Sequence, residues 1–274
     1  MRAPFFCLSP LLLLLSACQS PPYHSESRFV SPNQDNRIRY LIVHYTHGDN
    51  ADALQVLTRP GSGVSAHYLL SRPAPGSLPI LYTLVPESQR AWHAGRSSWQ
   101  QQSAMNDRSI GIEVVNPGYL PATSQAPLMQ RHWVTYPQAQ LQALAALLRQ
   151  LSDRYQIPPE HLLGHSDIAP GRKVDPGPDF PWQWLAQHYQ LGAWPDEQRV
   201  AALLQHGLPP LDIRVLQQQL AQYGYEVPVT GELDSATRQV IQAFQLHFRP
   251  SRFDGEPDAD TRARLQALLE KYPG

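Results

Sequence analysis

The chain has 274 residues, 42% hydrophobic and 16% charged, with a formal net charge of -1. That length and apolar content suit folded cores in two domains and exclude general disorder, while the near-neutral charge excludes a surface built wholesale for nucleic acid. The 27 prolines, about twice the usual share of ~5%, point to fixed loops and linkers.

The first stretch, "MRAPFFCLSPLLLLLSACQS", carries a basic Arg2, an apolar run through Leu15 and small residues ahead of Cys18. The run is shorter than the ~20 residues of a membrane-spanning helix, so it reads as a targeting segment. Leu15, Ser16, Ala17 and Cys18 resemble the lipobox of bacterial lipoproteins; an ordinary signal peptide with an incidental cysteine is the alternative. The lipobox reading makes 1–17 a signal peptide and Cys18 the lipidated end of a polar tether, 18–36. Gln19, where an aspartate would retain the protein in the inner membrane, points to an outer-membrane lipoprotein facing the periplasm of a Gram-negative bacterium. The other cysteine, Cys7, lies inside the leader, so the mature chain has no internal disulfide and depends on its core and on any metal it binds.

Further along, "IRYLIVHYT" (38–46) is apolar on both faces, as a buried central strand requires. Strands are also expected at 64–71, 80–85 and 109–115, and the leucines at 141, 144, 147, 148 and 151 predict a helix over 135–156. "HLLGHSDI" reads as a short return strand. Strands, a long helix and a return strand imply an α/β fold, a central mixed sheet flanked by helices. From about residue 196 the texture changes to amphipathic helices, two of which open with Asp-x-x-Thr at Asp234 and Asp258.

The chemistry gathers around "HSDIAPGRKVDPGPDF" (165–180), a proline- and glycine-rich loop loaded with titratable groups. His44 closes an apolar strand and alone would read as a core histidine. With His165 at another strand end and Asp175 ten residues on, it completes two imidazoles and a carboxylate, a catalytic zinc set with one open position. Glu113 lies inside the strand "SIGIEVV", where a carboxylate is costly unless paired. It is either a salt-bridge partner or a general base with a raised pKa. Lys173 is either a solvated charge or, in a fixed loop, a cation aimed at an oxyanion.

Together "LIVHYT", "AWHAG" (91–95), "NDRSIGIEVVN" (106–116) and "GHSDIAPGRKVDPGPDF" (164–180) resemble the zinc-dependent N-acetylmuramoyl-L-alanine amidases of the amidase-2 type, related in fold to peptidoglycan recognition proteins. The likeness covers 37–195. It implies one zinc per chain on His44, His165 and Asp175, with Glu113 as acid/base and Lys173 stabilising the transition state. It also implies substrate contacts from His93, Asn116 and Arg172; a guanidinium at 172 is suited to a charge-assisted bond with a stem-peptide carboxylate. His47 and His67 are expected to be structural or peripheral. Residues 196–274 resemble a three-helix peptidoglycan-binding domain. The expected partners are peptidoglycan, muropeptides and a membrane held through the lipid anchor, with the chain a monomer and no nucleic acid bound. A non-catalytic recognition or tethering lipoprotein is the alternative. No His-Glu-x-x-His pair is present, which excludes the common metalloprotease design.

Overall fold

The computed structural model describes residues 22–273. The predicted signal peptide and Cys18 lie outside them. The chain divides into two units between Asp35 and Asn36. The described part of the first, 22–35, is exposed and holds no helix or strand.

The second unit runs β1 (Tyr40–Tyr45), α1 (Asn50–Thr58), β2 (Tyr68–Leu70), β3 (Leu81–Thr83), β4 (Ser98–Trp99), β5 (Gln102–Ser103), β6 (Ser109–Val114), α2 (Gln138–Tyr155) and β7 (Leu162–Gly164). A one-turn α3 (His165–Ile168) follows, then α4 (Trp182–Tyr189), α5 (Glu197–His206), α6 (Ile213–Tyr223), α7 (Ser235–Phe248) and α8 (Ala259–Lys271). The main sheet has the order β3-β2-β6-β1-β7, with β3 antiparallel and the others parallel, the mixed sheet expected from sequence. Central β1 and β6 are buried along almost their whole length, as their apolar runs require. Their register pairs Ile42 with Gly111 and His44 with Glu113. Paired residues in parallel strands share a face, so His44 and Glu113 emerge side by side at the carboxyl ends, where sites form in parallel sheets.

Several boundaries shift from expectation. The helix predicted from 135 starts at Gln138, because Pro137 disfavours helical backbone at Tyr136. The stretches 64–71 and 80–85 pair as strands only over Tyr68–Leu70 and Leu81–Thr83. The return strand ends at Gly164, where the Asp167 carboxylate turns back to accept the Gly164 N–H at 2.7 Å and closes α3.

The C-terminal region is helical, with α5 preceding the three expected helices. Asp234 and Asp258 accept the backbone N–H groups of Thr237 and Thr261 at 2.7 and 3.0 Å, caps worth about 1 kcal/mol each. Leu220, Phe244, Phe248 and Leu268 belong to the same apolar core as Leu41, Leu144, Leu162 and Trp182. Among the described residues no helix is long and apolar enough to cross a membrane.

Candidate active site

Three strand ends and one loop build the site. β1 delivers His44, β6 delivers Glu113, and β7 hands the chain to His165. The 165–180 loop then returns Asp175. It is fixed by backbone bonds from Ser166 N–H to the Asp175 carbonyl at 2.9 Å and from Lys173 N–H to the Ala169 carbonyl at 3.1 Å. The Tyr136 hydroxyl adds a bond to the Pro176 carbonyl at 2.8 Å. A stiff loop holds two side chains ten residues apart at one point.

At that point His44 Nδ1 is 2.9 Å from His165 Nδ1 and 3.2 Å from Asp175 Oδ2, and His165 Nδ1 is 3.0 Å from the same oxygen. All three side chains are buried. Tetrahedral bonds of ~2.0–2.1 Å would set ligand atoms about 3.3 Å apart, so the triangle fits a zinc ion with slight widening.

The far sides of the rings support this fit. The Met105 carbonyl can only accept, so Ser109 donates its hydroxyl to it at 2.6 Å. Ser109 Oγ then accepts from His93 Nε2–H at 3.2 Å, which leaves His93 Nδ1 to accept from His44 Nε2–H at 2.9 Å. His165 Nε2–H donates to the Ala94 carbonyl at 3.2 Å. Both Nδ1 atoms therefore present lone pairs to the centre, the arrangement a metal needs. Gly111 makes room for the chain, because a Cβ there would lie 2.3 Å from the His93 ring.

Electrostatics agree. Burial, reinforced by His165, pushes His44 down to about 4, so its ring is neutral. Burial alone would raise Asp175, but His165 and His44 hold it well below the carboxylate range. Neutral imidazole and ionised carboxylate are the ligating forms. Glu113 goes the other way: burial, and then the charge of Asp175, push it well above 4.5, while Lys173 opposes them. Its Oε2 is sealed from water and has no hydrogen-bond partner among the described residues.

These groups line a cavity of about 480 Å³, within the usual range for small-molecule sites. Lys173 and Arg172 line it too. Arg172 Nη2 donates to the Ala94 and Arg96 carbonyls at 2.6 and 2.7 Å. His93 lies on the cavity wall directly behind His44. Asn116 is not brought to the cavity: it is fully buried, donating to the Val134 carbonyl at 2.9 Å and accepting from Gly118 N–H at 2.7 Å. His67 accepts from Gly111 N–H at 3.0 Å and faces the Gln89 carbonyl, while His47 stands on the cavity wall.

Sequence reasoning missed Tyr45, Trp92, Tyr119 and the α1 wall with Ala53 and Val56. Arg90 covers the Trp92 ring at 4.0 Å and Arg131 covers Tyr119 at 4.4 Å, so the rim is aromatic and cationic. A local signal for α1 existed in Asp49, whose carboxylate caps Ala51 and Asp52 N–H.

With this geometry in place, the comparisons are consistent. The family model for N-acetylmuramoyl-L-alanine amidase matches residues 34–178, and a model for a peptidoglycan binding domain matches 210–265. N-acetylmuramoyl-L-alanine amidase AmiD of Escherichia coli is 42% identical over 279 residues, covering 98% of this chain and 98% of that protein. The structure of AmiD in complex with the substrate anhydro-N-acetylmuramic acid-L-Ala-D-gamma-Glu-L-Lys superposes with a TM-score of 0.82 at 43% identity, over 93% of this chain and 97% of that one. AmpDh3 of Pseudomonas aeruginosa, in complex with anhydromuramic pentapeptide, gives 0.80 at 36% identity over 92% and 99%. The chain belongs to the N-acetylmuramoyl-L-alanine amidase family.

Proposed function

We propose that the chain hydrolyses the amide joining the lactyl group of N-acetylmuramic acid, in its ordinary or anhydro form, to L-alanine of the peptidoglycan stem peptide. Residues 37–195 carry the chemistry and 196–274 hold the wall. The observation that carries this reading is the buried triangle of His44, His165 and Asp175, with the unpartnered Glu113 carboxylate in the same cavity. The muramyl-peptide complexes of AmiD and AmpDh3 support the substrate class.

One zinc per chain would be held by His44, His165 and Asp175, and when bound it supplies Lewis acidity to the water and the scissile carbonyl. Glu113 accepts a proton from the attacking water and returns it to the alanine nitrogen as the C–N bond breaks. Its raised pKa brings that exchange toward neutral pH. Lys173, on the cavity wall, faces the negative charge that develops on the carbonyl oxygen. His93 holds the His44 ring in the tautomer that ligates. The lipobox reading adds an anchor at Cys18, which would set a monomeric enzyme on the periplasmic side of the outer membrane.

The test uses the chain from residue 19 onward, incubated with a muramyl-tripeptide with and without a chelator, and products identified by mass. Free tripeptide and the sugar acid, lost on chelation and restored by zinc, are the expected result. An intact substrate, or a cut within the peptide, overturns the proposal.

A further inference from the structure

Asp167 has no part in the chemistry above, yet it sits two residues after His165 and is fully buried. A carboxylate so placed must find donors, and it finds three. Gly164 N–H and His247 Nδ1–H both reach Oδ2 at 2.7 Å, and the Tyr225 hydroxyl reaches Oδ1 at 2.6 Å. The first of these closes α3, the turn that begins with His165. That turn also holds the backbone of Asp175, through Ser166 N–H.

The other two donors come from the C-terminal helices. Tyr225 lies just past α6, and His247 is in the last turn of α7. The His247 ring stacks on Trp182 at 4.0 Å and on Phe248 at 3.9 Å, so its direction is fixed. A further contact follows along the loop: Gly171 has φ +73°, and a Cβ there would stand 2.2 Å from Gln239 Oε1 on α7. The turn that presents His165 thus packs against both β1 and α7, and the loop that leads on to Asp175 meets α7 at Gln239.

We propose that Tyr225 and His247 are positioning residues of the active site. Through Asp167 they hold the His165 turn in its ligating geometry, so the helical region matched to wall binding is also part of the hydrolytic machinery. The inference rests on the reading of His165 and Asp175 as metal ligands. It predicts an effect that wall attachment cannot produce, a loss of turnover on a small soluble substrate.

The experiment uses the chain from residue 19 to 274 and a soluble muramyl-tripeptide. Variants are Tyr225→Phe, His247→Leu and His247→Asn, whose amide N–H can stand where Nδ1–H does. The control is Tyr223→Phe, which removes a buried hydroxyl that has no partner among the described residues. For Tyr225→Phe and His247→Leu, kcat should fall about tenfold at unchanged KM, with zinc released to excess chelator faster by a similar factor. Binding to sedimented cell wall should not change, Tyr223→Phe should match wild type, and His247→Asn should recover most of the loss. Folded Tyr225→Phe and His247→Leu proteins with kcat and zinc release within about twofold of wild type would overturn the inference. If His247→Leu does not fold, the single-hydroxyl pair at 225 and 223 decides. If wild type itself fails to cut the substrate, the functional reading fails, and zinc release still decides this one.

Discussion

Glu113 and Asp167 are both carboxylates withdrawn from water, and their surroundings differ in kind. Asp167, at the seam between the sheet region and the C-terminal helices, accepts from Gly164, Tyr225 and His247. Glu113, in the cavity, leaves one oxygen without a partner and is pushed upward by burial. Glu87, outside the cavity lining, resembles Asp167: Tyr68, Tyr155 and Arg154 all donate to it. At a seam, a carboxylate with donors on both oxygens is fixed in position. In a cavity, capacity left unmet is a standing cost to the fold, met only when a proton, an ion or substrate arrives.

The sharpest way to break this contrast is at the metal centre. His165→Ala should lower kcat/KM by about 10⁴-fold or more and lose zinc on gel filtration; retained activity would remove the metal from the account. Glu113→Gln should lower kcat by about 10²–10⁴-fold with zinc content unchanged. The same variant should be the more stable protein at neutral pH when both are metal-free. The folded Glu113 carboxyl has a pKa above its ordinary 4.5, so its favourable contribution is full below 4.5 and lost as pH rises through the raised value. Glutamine has no such loss, and denaturant melts from pH 4 to 8 would show the gap opening with pH.

Smaller effects sharpen the comparison at its edges. His93→Ala should weaken zinc retention by about 10–100-fold, read by competition with a chelator, because His44 loses the acceptor that sets its tautomer. Glu87→Gln should cost about 1–3 kcal/mol of stability at pH 7 and leave kcat unchanged. Burial alone would raise Glu87, but bonds from Tyr155, Tyr68 and Arg154 outweigh it and hold its pKa below 4.5. Its contribution is therefore present above 4.5 and lost as pH falls through the lowered value, so the deficit of the variant should shrink in acid.

Much of this arrangement could be read along the chain. A histidine ending an apolar run and a glutamate inside another are conspicuous because each breaks a strong local pattern. The structure sets them side by side through the register of β1 and β6. The proline-rich loop was legible because rigidity and titratable groups coincide in it. Other features depend on direction rather than on neighbourhood. Asn116 shares a motif with Glu113, yet its side chain turns inward to the backbone of Gly118 and Val134. His93 could be placed near the site, but not behind His44. The side-chain donors to Asp167 lie 58 and 80 residues away, in a helical region whose periodicity says which face is apolar and nothing about which carboxylate a tyrosine or histidine will meet.

Gly111 and His93 carry a consequence for how the sequence can change. The ring occupies the volume where any side chain at 111 would begin, with 2.3 Å from its Cγ to a built Cβ. A library that randomises position 111 alone should therefore return glycine among active clones, however permissive the selection. Only a library that varies 93 and 111 together opens new solutions, and each must supply another way to orient His44. The dependence runs one way: 111 cannot drift until 93 has moved, whereas 93 is held by its bond to His44 and not by the glycine.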